Sequence, residues 1–343
     1  MKRIYNKVYK AAIAALMLTA ATACTSEMPL PDNAQEPDTK PETGTLTTVT
    51  VSQDAGAQTR LNYQENGSKM DVTWKTGDEI YIGVPPVQGT TESKKTLEQA
   101  GFKKYTCTEA NGTQATFTST DGLTGVASGT KLFAFHVNPK NAIIYDDGSW
   151  RACISYLTKK PENSTSTTLK EPDSFVEQRQ TNNNSTAHIS DYDFMYATAN
   201  YADEGQTHFS FKQHVSLMKF TLQLPDDSKN KNVKKLELTA TGGFSSYKFS
   251  LYSSVNLETG YAGGQGIKDA RLILHLGEGE NGFQCTDGKL IAYLVRGSAS
   301  AGGIIITVTD TEGSEYTVTL SGDAIYSGNF YTVTANLTKK VAH

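Results

Sequence analysis

From about residue 45 onward, short runs of threonine, valine and aromatic residues alternate with polar punctuation. LTTVTVS (Leu46 to Ser52), KMDVTW (Lys69 to Trp74), EIYIGV (Glu79 to Val84) and TQATFTS (Thr113 to Ser119) are the first of them. KLFAFHV (Lys131 to Val137) and DFMYATA (Asp193 to Ala199) continue the texture, with Asn-Gly, Gly-Asp and Asp-Gly pairs between runs. Such spacing predicts short strands joined by tight turns, as in an antiparallel sandwich or barrel. After a polar break at 202–206, HFSFKQHVSLMKFTLQL puts Phe209, Phe211, Gln213 and Val215 on one face and His208, Ser210, Lys212 and His214 on the other. Six or seven further β runs follow, including ARLILHL, KLIAYLV, GGIIITVTD and FYTVTANL. The pattern predicts an all-β protein of two tandem antiparallel β-sandwich domains, 45–202 and 203–343. Within the first, Glu92 to Ala100 reads as a helical turn or two, and Pro161 to Ser185 as a long polar loop.

The front of the chain has a different texture. Lys2, Arg3, Lys7 and Lys10 precede an apolar run from Ala11 to Ala20, and Ala21-Thr22-Ala23 leads into Cys24. The run is too short to span a bilayer and has the layout of a secretory signal. Small residues ending at a cysteine resemble the bacterial lipobox, in which cleavage leaves a lipid-bearing cysteine as the mature N-terminus. Residues 1–23 are therefore predicted to be a lipoprotein signal peptide and Cys24 the lipidation site, placing the protein at the outer membrane or cell surface. Residues 24–44 hold four prolines, many acids and few apolar side chains, which predicts a disordered linker.

Composition adds mostly exclusions. The formal net charge is −4, and the leader carries four cations and no acid, so the remainder stands at −8. No basic patch with interleaved aromatics points to nucleic acid. Beyond Cys24, the cysteines at 107, 153 and 285 are odd in number and lack metal or redox spacing. No motif of a metalloprotease, serine hydrolase, P-loop or EF-hand is present. His208 and His214 stand too far apart along a strand to share a metal. Asp191 with Asp193, and Asp226 with Asp227, read as turn acids rather than paired catalytic carboxylates. GYAGGQG (Gly260 to Gly266) lacks the strand–helix context for phosphate. The expectation is a protein without enzymatic activity, cofactor or metal.

Four stretches carry a resemblance. MDVTWKTGDEIYIGV (Met70 to Val84) is similar to the W-x-x-G-D-x-I element of Bacteroidetes fimbrillin-like proteins. DFMYA (Asp193 to Ala197) resembles the strand that closes their first domain, and FSFKQHVSLMKFTLQL (Phe209 to Leu224) the strand that opens their second. The closing SGNFYTVTANL resembles their G-x-x-Y-T-V-x-x-x-L ending. The resemblance implies transthyretin-like sandwiches and a pilus or adhesin subunit. It further implies that an Arg-specific surface protease cuts between the first strand and the rest, whereupon a donor strand from another fimbrillin subunit takes the vacated place. In this sequence the first strand is Leu46 to Ser52. DAGAQTR ends at Arg60, so Arg60 and Leu61 are the implied processing site, with Leu61 where the family usually has threonine. Only Thr338 to His343 follow the last predicted strand, too few for a spare donor, which favours a tip or anchor subunit over a shaft. A second reading is a glycan-binding outer-membrane lipoprotein that contacts a host or bacterial surface ligand through Tyr145, Trp150 and Tyr156.

Overall fold

The computed structural model of the chain describes residues 43–53, 64–66, 69–71, 73–84, 93–139, 142–146, 151–155, 178–202, 205–241, 249–250, 252–256, 262–263, 268–269, 271–296, 303–321, 325–326 and 328–341. Seven strands close a barrel: β1 (Thr43–Gln53), β2 (Glu79–Gly83), β3 (Lys103–Asn111), β4 (Gln114–Ala127), β5 (Lys131–Val137), β6 (Phe194–Asn200) and β7 (His208–Gln213). Their order around the barrel is β1-β7-β6-β5-β2-β3-β4. β1 takes in Thr43 and Gly44, the last two residues assigned to the linker.

Trp74 fills the barrel at 3% exposure, edge-on to Phe117 (5.0 Å between ring centres), His136 (5.2 Å) and Phe211 (5.6 Å). Edge-to-face contacts suit the negative faces and positive rims of these rings. The turn before β2 is pinned by Asp78, whose carboxylate accepts the Lys75 N–H at 2.7 Å, with Gly77 at φ +94°. Where one or two helical turns were expected, Ser93–Lys95 is a short strand and residues 97–100 form a turn. Thr96 and Gln99 cap it reciprocally, each side chain bonding the other's N–H.

The second half stacks two sheets. One runs Arg179–Gln180, β10 (Arg271–Leu276), β9 (Asn232–Thr241), β12 (Gly303–Asp310), β13 (Glu315–Ser321) and Thr338–Lys339; the other runs β11 (Lys289–Arg296), β8 (Ser216–Gln223) and β14 (Phe330–Asn336). Met218, Phe220 and Leu222 of β8 face Leu236, Leu238 and Leu274 in its core.

The division at residue 203 is corrected. β7, expected to open the second domain, pairs with β1 and β6, and its Phe209 and Phe211 belong to the barrel core. The inward apolar residues change phase within the run, from odd positions through Leu217 to even positions from Met218, where one strand has ended at Gln213 and another begun at Ser216. At the break the His214 N–H bonds the Phe194 carbonyl at 2.8 Å and its ring stands edge-on to Phe194 and Tyr196. Leu217, Tyr293 and Val295 then pack on the barrel core. A further sheet joins Ala142–Asp146 and Arg151–Ser155 to Tyr252–Asn256, and Pro41–His343 forms one compact unit. Purely antiparallel pairing is corrected too. β1–β7, β8–β14 and the Arg179–Gln180 pairing with β10 are parallel, an arrangement that periodicity cannot reveal because both pairings have period two.

One edge is sealed without a strand. The outer edge of β11 faces residues 178–184: the backbone of 178–180 pairs with β10, and the side-chain amides of the segment, with the Asn184 N–H, pair with β11. Gln178 bonds both the N–H (2.9 Å) and the carbonyl (2.6 Å) of Val295. Gln180 takes the Tyr293 N–H and donates to the Ile291 carbonyl, each at 2.8 Å. Asn183 accepts from Ile291 N–H at 2.8 Å and donates to the Lys289 carbonyl at 3.0 Å, and His188 Nε2 meets the Tyr293 carbonyl at 2.9 Å. Primary amides can do this because, like the peptide group, they offer a donor and an acceptor side by side.

Candidate strand-exchange site

β1 is the seam of the barrel. It pairs antiparallel with β4 from Thr43–Ala127 to Ser52–Gln114, and parallel with β7 from Thr50–His208 to Gln53–Phe211. Leu46, Val49, Val51 and Gln53 point inward, the three aliphatic residues at no more than 1% exposure. At about 1.5–3 kcal/mol for each fully buried aliphatic side chain, β1 contributes on the scale of a domain's whole net stability of about 5–15 kcal/mol.

The inward spacing is three residues, then two and two, because β4 bulges opposite Thr47. Leu46 pairs with Leu123 and Thr48 with Thr118, leaving 119–122 looped out. Gly122 turns that loop at φ +54°, where a Cβ would come within 2.6 Å of the Leu46 carbonyl oxygen. The buried Tyr105 hydroxyl spans the gap, donating to the Leu46 carbonyl and accepting the Leu123 N–H at 3.2 Å. On the outer face, His208 Nδ1 lies 3.0 Å from Thr50 Oγ1 and its Nε2 2.9 Å from Ser52 Oγ. An open cleft of about 490 Å³, lined by Thr50, Val51, Glu109, Asn111, Gln114 and His208, exposes this end of the strand to solvent. At the other end, Gly44 lies under the Tyr201 hydroxyl.

The predicted site residues Cys24, Arg60 and Leu61 lie outside the described residues, as do Trp150 and Tyr156; of Tyr145 only the backbone, in Ala142–Asp146, is described. Arg60 and Leu61 fall between the end of β1 at Gln53 and the next strand at Gln64–Asn66. Cys107 and Cys285 are buried free thiols. Burial, with the Asp78 carboxylate adding to it, pushes Cys107 up to about 11, and burial pushes Cys285 to about 12. Both therefore stay protonated and poorly nucleophilic at neutral pH. Asp191 accepts from Asn138 and Asp193 from Gln213, as structural acids do. Among the described residues, no three His, Cys, Asp or Glu side chains converge as a metal site, and no helix is long and apolar enough to cross a membrane. Sequence reasoning missed Tyr105 and Tyr201, and it took Asp121-Gly122 for a turn between strands where the structure has a bulge within β4. Two glycines in the run DGLTG at 121–125, inside an otherwise strand-like stretch, signalled the bulge.

No curated protein matches the chain. Among solved structures it is similar to a proposed cell adhesion protein of Bacteroides ovatus ATCC 8483, at 13% identity over 87% of this chain and 96% of that one, with a TM-score of 0.49. A second, from Bacteroides uniformis ATCC 8492, shares 16% identity over 86% and 96%, TM-score 0.46. A fimbrial protein of Bacteroides ovatus shares 12% over 87% of this chain and 51% of its own, TM-score 0.27. The family model described as fimbrillin-like matches residues 59–343. It takes in the Trp74–Asp78 turn, the β6–β7 pairing and the Tyr331-Thr332-Val333 ending that carried the resemblance, and the chain belongs to the fimbrillin-like family.

Proposed function

We propose that this chain is a cell-surface pilus or adhesin subunit that assembles by exchanging β1 for a strand of a neighbouring subunit, and that it is delivered to the outer membrane by a lipid on Cys24. The observation that carries the reading is the position of β1. It is the first of the described strands, it closes the barrel between β4 and β7, and its departure would leave two unpaired strand edges above an apolar trough. Such edges are templates for β-augmentation. Fimbrillin membership supplies the class of partner, other subunits of the same kind, and a structural and adhesive role rather than an enzymatic one.

The distribution of arginine supports processing at Arg60-Leu61. Beyond the leader the chain has five arginines, and the other four lie in paired strands. Arg151 sits between two neighbours, Arg179 and Arg271 pair along β10, and Arg296 ends β11 opposite Ser216. A protease needs an extended, unpaired substrate segment, which paired strands withhold.

The tip or anchor role rested on the short stretch after β14. β14 itself offers another route, because Gly328-x-Phe330-x-x-Val333-x-Ala335-x-Leu337 repeats Gly44-x-Leu46-x-x-Val49-x-Val51-x-Gln53. A donor strand then need not come from beyond residue 337, and a shaft position becomes available alongside tip and anchor. The test is limited digestion of the folded protein with an Arg-specific protease. We expect a single large fragment beginning at Leu61, abolished by Arg60→Ala, and displacement of the cut β1 by a competing strand. Cutting at other arginines with Arg60 intact would overturn the scheme. Cys24→Ala is expected to move the protein from the membrane fraction to the soluble fraction.

A further inference from the structure

We propose that Tyr201 makes the β1 seam selective for glycine: a strand that replaces β1 must carry glycine two residues before its first inward side chain. The inference rests on the strand-exchange reading and names what the seam accepts. A Cβ built on Gly44 would stand 2.0 Å from the Tyr201 hydroxyl oxygen and 3.0 Å from the ring carbon bearing it. Real Cβ contacts do not approach so closely, so either the ring or the strand must give way. The ring has little room, since Tyr201 is 6% exposed and belongs to the barrel core. Its backbone is also held, the N–H bonding the Thr130 carbonyl at 2.7 Å and the carbonyl accepting from Gly129 at 2.9 Å.

The strand cannot escape by sliding. A one-residue slip would turn Leu46, Val49 and Val51 out to solvent. The β4 bulge makes the inward spacing uneven, so a two-residue slip places a polar residue over the trough. The Tyr105 hydroxyl adds a fixed point, because it donates to the carbonyl of the residue at the Leu46 position. Together these features define the accepted segment as Gly-x-apolar-x-x-apolar-x-apolar, which a regularly alternating strand does not satisfy. Phe330, Val333 and Ala335 with Gly328 of a second copy of this chain do.

The test uses the full chain with a sequence-specific protease site placed in residues 54–60, so that cutting does not depend on Arg60. Synthetic peptides of residues 43–53, carrying glycine, alanine or valine at position 44, then compete with the cut β1. The glycine peptide is expected to exchange in. The Gly44→Ala peptide should bind at least tenfold more weakly and the valine peptide undetectably. Tyr201→Phe in the acceptor should restore most of the alanine loss and little of the valine loss. Equal binding of glycine and alanine peptides overturns the inference while leaving strand exchange intact. Failure of every peptide, glycine included, overturns strand exchange instead. In the uncut chain, Gly44→Ala and Tyr201→Phe are expected to shift the melting temperature non-additively, and additivity counts against the contact.

Discussion

Two sheet edges in this molecule are closed by opposite means. At the barrel seam a strand supplies both the hydrogen bonds and the apolar side chains, so whatever replaces it must bring both. At the edge of β11 the hydrogen bonds come mostly from side-chain amides of Gln178, Gln180 and Asn183, while the backbone of 178–180 is committed to β10. A strand arriving at β11 would have to expel those amides and would gain only the bonds they already make. The proposed exchange therefore has an apolar trough to refill at the seam and none at the amide-lined edge. The difference lies in the apolar content of the closing element rather than in the number of its hydrogen bonds.

The strongest way to break the comparison is Val49→Asp, which puts an unpaired carboxylate in the barrel core. A loss of about 4 kcal/mol or more is expected, enough to abolish cooperative thermal unfolding followed by circular dichroism. Next, Gln178→Ala with Gln180→Ala leaves the Tyr293 N–H and the Val295 N–H and carbonyl unmatched, at about 1–3 kcal/mol for each buried group. Denaturation in urea should show the loss, and amide exchange should quicken at Tyr293 and Val295. Displacement of a cut β1 should keep its rate.

Acid sharpens the same contrast. Burial lowers His188 to about 4, although its bond to the Tyr293 carbonyl and the charge of Asp191 oppose the shift. The folded protein resists protonation that the unfolded chain accepts near 6.5, so this contribution is present above that pH and lost as pH falls toward 4. The loss is on the order of 3 kcal/mol, read as a lower denaturation midpoint at pH 4.5 than at pH 7, and His188→Gln should flatten the difference. The smallest effect is expected at Tyr105→Phe. It removes the hydroxyl between β1 and the β4 bulge, costs about 1–2 kcal/mol in the intact chain, and should speed exchange of the cut strand.

Much of the barrel was legible because its strands alternate against one core. Trp74, Ile80, Phe209 and Phe211 were readable as inward residues and are buried. The join between the halves was read as one strand, although the adjacent apolar pair Leu217-Met218 shifts the alternation by one residue where the chain changes core. The amide-lined edge was also hidden. Gln178, Gln180 and Asn183 sit in a stretch rich in asparagine, serine and threonine, where composition argues for a solvated loop, and only the opposing strand edge gives the amides another role. Of the seam, the strand was visible and its lock was not. Gly44 and Tyr201 are distant in sequence, and neither belongs to a motif.

The parallel pairing of β1 with β7 also governs the order of assembly. Thr50 and His208 are 158 positions apart, so the leading strand must wait for most of the chain before its second neighbour exists. Contacts of such long range are slow to form, and a barrel that has not yet seated β1 offers its open seam to a second copy as well. What keeps copies separate is the covalent loop that presents β1 at high effective concentration to its own barrel. Severing that loop changes no contact in the seam, yet it turns an intramolecular competitor into a diffusible one.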